Sequence, residues 1–315
     1  MSRTTLLQVG PLMPALEALM CEQHEVLRAH DLGAPSPLAD PADAARVQAV
    51  VTSAPVGLPE AWLDHLPALR VVSSFGVGLD KLPLDACRAR GLPVGYTPDV
   101  LNDCVADLAM GLLLDGARQI AAADRFVRRG AWQQGRFPVA TRVSGKRLGI
   151  VGLGRIGQAV ARRAAGFDMD IAYHHRRPVD GVAWRHEPAL LALAEWADFL
   201  VLTVAASADT RHLINADVLA ALGPKGLLVN VARGSVVDEA ALIACLQNGS
   251  LGGAALDVFD DEPAVPDALK ALGNTVLTPH VAGQSPEAAR DTVTLVLRNL
   301  QAFFAGEPVL TPVRN

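Results

Sequence analysis

Three ionisable residues in the last third of the chain have types and settings that suit catalysis: Arg233, Glu262 and His280. Each follows a short apolar run that is typical of a buried β-strand. In an open parallel sheet the carboxyl ends of the strands border one crevice, and ligands bind there. We therefore expect a guanidinium, a carboxylate and an imidazole to converge on one small anionic substrate.

Each of the three residues also has an ordinary structural explanation. Arg233 could cap a helix or form a surface ion pair, Glu262 could be a solvated loop acid, and His280 could be a satisfied buried histidine. Taken singly, these explanations are the commoner ones. The joint placement of the three after strands, in a chain that also carries a nucleotide-binding loop, favours catalysis.

Composition limits the classes of protein to which the chain can belong. Its 315 residues, half of them apolar, suffice for one large or two ordinary domains. A net charge of −5 without a long basic run argues against nucleic acid or an anionic membrane surface as a partner. No apolar stretch reaches the roughly 18 to 20 residues that span a bilayer. The four cysteines lack metal or redox spacing, so we predict no metal site and a reducing, cytoplasmic location.

The alternation of short apolar runs with helical patterns predicts an α/β fold built from βαβ units with doubly wound parallel sheets. A proline turn near residue 98 and a loop near residue 284 mark two boundaries, and each precedes a predicted helix start. Apolar residues at helical spacing follow both, around 104–113 and from Val296 through Leu300 towards Phe303. We predict a central Rossmann dinucleotide-binding domain at 100–284. Residues 1–99 and 285–315 are predicted to form a discontinuous, flavodoxin-like substrate domain, in which the proline-rich stretch 34–41 is a loop.

A glycine-rich loop at 152–157 has the spacing G-x-G-x-x-G. The pattern alone is weak evidence, but here it follows an apolar strand and precedes a helical pattern and a second strand, as a dinucleotide site requires. Gly152 permits the tight turn, Gly154 lets the backbone approach a pyrophosphate, and Gly157 lets the helix pack on the sheet. Amides at the start of the helix favour the anion.

The tip of the second strand predicts the choice of nucleotide. An NAD site usually places an acid about 20 residues after the loop, where it binds the ribose 2′-hydroxyl. Here the strand ends in His174, His175, Arg176 and Arg177, with no acid at the tip. Two guanidinium groups suit a 2′-phosphate, so we predict NADP(H) in preference to NAD(H). The alternative is that both arginines are only solvated surface charges.

Taken together, these segments resemble those of the D-isomer-specific 2-hydroxyacid dehydrogenases. The resemblance is closest to the NADP-preferring glyoxylate, hydroxypyruvate and hydroxyphenylpyruvate reductase branch, and it covers nearly the whole chain. It depends on the segments Gly76–Asp80, Gly152–Gly157, Asn230–Gly234, Gly253–Phe259 with Glu262–Pro263, and Thr278–His280.

The resemblance implies a role for each residue of the site. His280 is the general acid that protonates the carbonyl oxygen as hydride arrives from the nicotinamide, and the base in the reverse direction. Glu262 orients His280 and stabilises its charged form, while Arg233 holds the substrate carboxylate and polarises the ketone. Asp257 is expected to contact the nicotinamide carboxamide. Backbone amides around Val77 and Gly78 are expected to complete the carboxylate cradle.

The cofactor-binding residues predicted from the loop, the strand tip and the resemblance form a single set. It comprises Gly152, Leu153, Gly154, Arg155, Ile156, Gly157, His175, Arg176, Arg177, Thr203, Val231, Ala232 and Asp257.

The expected reaction is the reduction of a small 2-oxo acid to the D-2-hydroxy acid, with glyoxylate and hydroxypyruvate as first choices and aryl pyruvates as bulkier ones. The resemblance also implies a homodimer in which Trp132 or Phe137 reaches the partner's active site; alternatively, Trp132 packs only against its own domain. Two other functions stay open. One is a cofactor-binding, redox-sensing regulator without turnover. The other is a dehydrogenase for a different substrate, such as formate or phosphite.

Overall fold

The computed structural model describes residues 3–29 and 40–313. Within the predicted proline-rich loop, positions 34–39 lie outside these described residues. The chain divides into two compact units, Met1–Leu101 with Gln284–Asn315, and Asn102–Gly283. The first is called the outer unit below, and the second the central unit. No helix of the described residues is long and apolar enough to cross a membrane.

The outer unit is built on a parallel sheet whose described strands run in the order β2-β1-β3-β4-β5. This is the strand order of flavodoxin-like folds, as the sequence predicts. The strands are β1 (Thr5–Gln8), β2 (Glu25–Arg28), β3 (Val47–Ser53), β4 (Val71–Phe75) and β5 (Val94–Gly95). The three inner strands are buried along almost their whole length, which explains their continuous apolar runs.

Helices cover both faces of the outer sheet. They are α1 (Pro14–Gln23), α2 (Pro41–Ala44), α3 (Leu84–Ala89) and, from the end of the chain, α11 (Pro286–Phe304). The last of these begins as the sequence predicts, because the Ser285 side chain accepts a hydrogen bond from the Ala288 amide and Pro286 occupies the first turn. Its residues Val293, Val296 and Leu300 pack with Leu6 and Val71 of the sheet.

The central unit contains a parallel sheet whose described strands run in the order β12-β11-β10-β9-β6-β7-β8. The chain leaves β6 in one direction and later returns to its other side, so the order reverses next to β6, as in the Rossmann fold. The strands are β6 (Arg147–Val151), β7 (Asp170–His174), β8 (Arg185–His186), β9 (Phe199–Leu202), β10 (Leu227–Asn230), β11 (Gly253–Leu256) and β12 (Thr275–Leu277).

The helices of the central unit pack on both faces of this sheet. They are α4 (Asn102–Arg118), α5 (Ile120–Arg128), α6 (Arg155–Ala165), α7 (Leu190–Trp196), α8 (Ala216–Leu222), α9 (Glu239–Asn248) and α10 (Asp267–Lys270). The apolar stripe predicted around 104–113 is buried in α4, which contacts α6, β10 and β11. By contrast, α5 has no buried residue.

Candidate active site

The three candidate catalytic residues lie at the same edge of the central sheet. Arg233, Glu262 and His280 follow β10, β11 and β12, which are adjacent and parallel. Parallel neighbours bring their carboxyl ends to one edge, so the three following loops share it. The sequence predicts this shared edge, because each of the three residues follows an apolar run typical of a strand.

His280 and Glu262 form an ion pair. The Nδ1 atom of His280 lies 2.7 Å from Oε2 of Glu262, and the two side chains keep 36% and 33% of their exposure. The other carboxylate oxygen, Oε1, accepts a hydrogen bond from the Phe259 amide at 3.1 Å. Glu262 is therefore anchored to its own loop while it orients the imidazole.

The backbone at His280 adopts a left-handed conformation, with φ at +52°. A non-glycine residue rarely takes this conformation, and histidine does so more readily than β-branched residues. The His280 amide donates to the carbonyls of Asp257 and Thr278 at 2.9 and 3.1 Å, which holds the turn in place.

Asp257 is fully buried beneath the His280 loop. Its Oδ1 accepts hydrogen bonds from the Thr278 hydroxyl at 2.6 Å and the Val281 amide at 2.9 Å. Its Oδ2 accepts from the Ala282 amide at 2.9 Å. A carboxylate buried with three donors fixes the residues on both sides of His280. The contact of Asp257 with a nicotinamide carboxamide stays a prediction. In the structure, Asp257 also holds the loop around His280 in place.

Arg233 is partly buried, and its Nη1 atom donates to the Ala232 carbonyl at 2.8 Å. The next residue, Gly234, packs directly on the loop that carries Glu262. A Cβ atom at Gly234 would lie 1.9 Å from the carbonyl carbon of Phe259, which no side chain can tolerate. Glycine at this position lets the arginine-bearing and glutamate-bearing loops lie in contact.

The glycine-rich loop joins β6 to α6. Gly152 has φ at +93°, and a Cβ there would lie 2.8 Å from the Val204 backbone. A Cβ at Gly157 would lie 2.3 Å from the Gly152 carbonyl oxygen. These two positions require glycine for the turn and for close packing, respectively. Thr203 stabilises the loop, because its hydroxyl donates a hydrogen bond to the Gly152 carbonyl at 2.6 Å.

Gly154 tests whether the loop fits a dinucleotide. It occupies the N-cap position of α6, its φ is −75°, and nothing lies within 4 Å of a Cβ built on it. Neither backbone strain nor packing against the protein requires glycine here. A glycine with open space above it at the start of a helix lets a pyrophosphate approach the backbone amides closely. The residues of the loop therefore fit the pyrophosphate of a dinucleotide cofactor.

The tip of β7 carries Arg176 and Arg177, both exposed. Two hydrogen bonds hold this segment: the Val179 amide donates to the buried Tyr173 hydroxyl at 2.9 Å, and Nε2 of His186 lies 3.0 Å from the His175 carbonyl oxygen. Burial, and then the charge of Arg176, lower the pKa of His175 below its ordinary value. The lowered pKa favours the neutral form of His175, and the guanidinium groups of the two arginines carry positive charge at this tip.

Other predicted residues lie as follows. Leu153, Val231 and Ala232 are buried, Val77 and Gly78 are partly buried after β4, and Arg155 and Ile156 form the first turn of α6. Trp132 is 68% exposed, whereas Phe137 meets Phe126 edge-on with ring centroids 5.4 Å apart. Among the described residues, no group of three histidine, cysteine or acidic side chains could hold a metal ion.

Sequence reasoning missed two contributors to this edge. Asn230 and Gly234 lie within the segment that carries the resemblance, but neither had a role. A polar residue at the end of an otherwise apolar strand, three positions before the candidate arginine, was the available signal for Asn230.

A Rossmann sheet with a glycine loop and an ionisable pair at its carboxyl edge has the architecture of a dinucleotide-dependent oxidoreductase. Comparison with known proteins narrows this class. Residues 110–282 match the family model described as D-isomer specific 2-hydroxyacid dehydrogenase, NAD binding domain. The chain belongs to the D-isomer specific 2-hydroxyacid dehydrogenase family, as its sequence resemblance indicated.

Relatives and solved structures support this membership. The chain is 48% identical over 267 residues to the hydroxyphenylpyruvate reductase of Plectranthus scutellarioides, covering 85% of each chain. It is 47% identical to the glyoxylate/hydroxypyruvate reductase A of Arabidopsis thaliana, again over 85% of each. The NADPH-dependent glyoxylate/hydroxypyruvate reductase of Sinorhizobium meliloti, solved in complex with NADP and malonate, is 42% identical with a TM-score of 0.91, covering 99% of this chain and 97% of that one.

Proposed function

We propose that the protein reduces a small 2-oxo acid to the D-2-hydroxy acid with NADPH. Glyoxylate and hydroxypyruvate are the proposed substrates, with aryl pyruvates as bulkier alternatives. The observation that carries the proposal is the 2.7 Å pair between His280 and Glu262 at the edge of the dinucleotide-binding sheet. A histidine oriented by a carboxylate is a suitable proton donor to a carbonyl oxygen.

Each residue has a defined task in this proposal. When bound, the nicotinamide supplies the hydride. Because Nδ1 of His280 faces Glu262, Nε2 is the atom that delivers the proton to the carbonyl oxygen, and Glu262 stabilises the imidazolium that precedes this transfer. Arg233 binds the substrate carboxylate and polarises the ketone. Backbone amides of Val77 and Gly78 are proposed as further donors to the carboxylate.

A direct assay tests the reaction class. Purified protein should consume NADPH, followed by its absorbance, on addition of glyoxylate or hydroxypyruvate, and chiral analysis of the product from hydroxypyruvate should give the D isomer. A folded protein that binds NADPH but turns over no 2-oxo acid would contradict the proposal and favour a redox-sensing role. Reduction of NAD by formate or phosphite would assign a different substrate.

We also propose that Arg176 and Arg177 make the enzyme prefer NADP(H) to NAD(H). Both guanidinium groups are exposed on a segment fixed by Tyr173 and His186, and no acid lies at the strand tip to repel a 2′-phosphate. The Sinorhizobium meliloti relative is described as NADPH-dependent.

Replacing both arginines with alanine tests this preference. The double variant should lose roughly 10- to 100-fold in kcat/KM with NADPH, since charge-assisted bonds to a phosphate contribute about 1.5–3 kcal/mol. With NADH, kcat/KM should change little. Arg162→Ala, which removes an exposed charge from α6, is the matched control and should leave both values unaltered. Equal use of NADH and NADPH by the unmodified enzyme would refute the assignment.

A homodimer is proposed through the segment 119–139, named the arm. Of the large apolar residues exposed in the described chain, four lie in the arm: Ile120, Val127, Trp132 and Val139. An apolar patch of this kind usually marks an interface. Light scattering should give the mass of two chains, and Val127→Glu should give one. Leu191→Glu, a control on α7 whose side chain is 44% exposed against 54% for Val127, should remain dimeric. A monomeric parent protein would exclude this assembly. None of the four cysteines, all within the described residues, forms a disulfide, and this supports the proposed cytoplasmic location.

A further inference from the structure

We propose that Asn230 is a positioning residue that fixes the Arg233 turn and so aims its guanidinium at the substrate carboxylate. The inference rests on the function proposed for Arg233. Asn230 ends β10 and is only 1% exposed. Within the described residues, its side chain forms no hydrogen bond to another side chain. Its two polar atoms, Oδ1 and Nδ2, bond instead to the backbone of the Arg233 turn.

The two hydrogen bonds bracket a single peptide unit. Oδ1 of Asn230 accepts from the Ala232 amide at 3.0 Å, and Nδ2 donates to the Arg233 carbonyl at 3.0 Å. The Ala232 amide and the Arg233 carbonyl stand on either side of the peptide that joins these residues. One amide side chain therefore fixes the course of the backbone at the point from which the arginine side chain departs.

The guanidinium itself depends on the bracketed peptide. Nη1 of Arg233 donates to the Ala232 carbonyl at 2.8 Å, and that carbonyl belongs to the peptide that Asn230 holds. A rotation of this peptide would move the guanidinium and its partner together. Arginine binds a carboxylate through a planar fork, so its contribution is sensitive to orientation.

Backbone contacts hold the two ends of the Arg233 turn, and the Asn230 side chain holds the part between them. The Asn230 carbonyl accepts from the Asp257 amide at 3.0 Å, which joins the end of β10 to β11 through backbone alone. Gly234 closes the other end of the turn against Phe259, again without a side chain. The Arg233 carbonyl also accepts from the Val236 amide at 3.3 Å. Between these backbone contacts, Asn230 is the neighbouring residue whose side chain bonds to the turn at two points, beside the bond that Arg233 itself makes to the Ala232 carbonyl.

Substitution at residue 230 tests the proposal in the full-length enzyme with glyoxylate and NADPH. Asn230→Ala removes both bonds; Asn230→Asp keeps the acceptor but replaces the donor with an oxygen facing the Arg233 carbonyl. Both variants should raise the KM for glyoxylate about tenfold or more, since small misplacements of a binding group are costly. The pH dependence of kcat should stay unchanged, because the His280–Glu262 pair lies on other loops.

Asn215→Ala is the matched control. Asn215 also makes two side-chain bonds to backbone, to the amides of Asp217 and Val218 at the start of α8. This variant should lower the melting temperature comparably but leave the KM for glyoxylate unchanged. A double-mutant cycle then tests whether Asn230 acts through Arg233. In an Arg233→Lys background, Asn230→Ala should change the KM for glyoxylate by less than about twofold, because the effects of coupled residues are non-additive.

The outcomes separate the two hypotheses. If Arg233→Lys itself leaves the KM for glyoxylate unaltered, the function proposed for Arg233 fails. If Arg233→Lys raises KM strongly while Asn230→Ala does not, only the role of Asn230 is overturned. Additive effects in the cycle, or an equal rise in KM with Asn215→Ala, would reduce Asn230 to a residue that supports the fold.

Discussion

Replacing His280 with asparagine is expected to lower kcat for glyoxylate reduction by about 10²- to 10⁴-fold, the usual contribution of a general acid. Asparagine is chosen because it tolerates the left-handed backbone at this position, where φ is +52°. The variant therefore removes the proposed proton donor without adding backbone strain. Asparagine has no group that can carry and release a proton at neutral pH, so the chemical step alone should fail.

Binding measurements complete the test of His280. The dissociation constant of NADPH, measured by fluorescence titration, should change by less than about twofold, since the glycine loop is unaltered. His212→Asn is the matched control, because His212 lies in the same unit and also has a left-handed backbone, with φ at +50°. It should retain full activity. A loss of NADPH affinity with His280→Asn, or near-normal kcat, would show that His280 is not the acid.

Replacing Arg233 with alanine is expected to lower kcat/KM for glyoxylate by about 10³-fold or more, because it removes the proposed charged contact to the carboxylate and the proposed polarisation of the ketone. Lysine should recover only part of the loss, since an ammonium cannot reproduce the planar fork. Added guanidinium ion should partly restore the alanine variant, but not His280→Asn. Steady-state kinetics at saturating NADPH measures each case.

The control for Arg233 is Arg211→Ala, which removes an exposed charge from the same unit. It should leave kcat/KM unaltered, so a general change in charge cannot explain the loss. Unchanged binding of glyoxylate by Arg233→Ala would contradict the assignment, and the carboxylate would then require another cation.

Local patterns were enough to predict the cofactor loop. Gly152 and Gly157 are required by contacts within a few residues or with the adjacent strand, and such contacts leave a regular spacing in the sequence. The same holds for the helices α4 and α11, whose apolar stripes repeat with the helical period. The two-sheet architecture followed from the alternation of these elements.

Contacts set by the register of neighbouring strands could not be predicted in the same way. Asp257 reaches Thr278, Val281 and Ala282 only because β11 and β12 are paired, and nothing in the local sequence indicates that pairing. The contact of Gly234 with Phe259 likewise depends on the packing of two loops. Periodicity identifies which face of an element is buried, but not which loop lies beside its end.

The exposure of helix α5 could not be predicted for a different reason. Its spacing of apolar residues is typical of a helix that packs on a core, yet none of its residues is buried. In the proposed homodimer, the surface that covers this helix belongs to the partner chain, which the pattern of one chain does not reveal.

The division of the outer unit into two segments has a consequence for biosynthesis. A ribosome makes the five outer strands first, then the whole of residues 102–283, and only afterwards α11. Until that last helix emerges, the sheet face formed by Leu6, Val51 and Val71 lacks one of its two covering helices. All residues of the central unit have been synthesised before then. The outer unit is therefore the first whose synthesis begins and the last whose synthesis is completed.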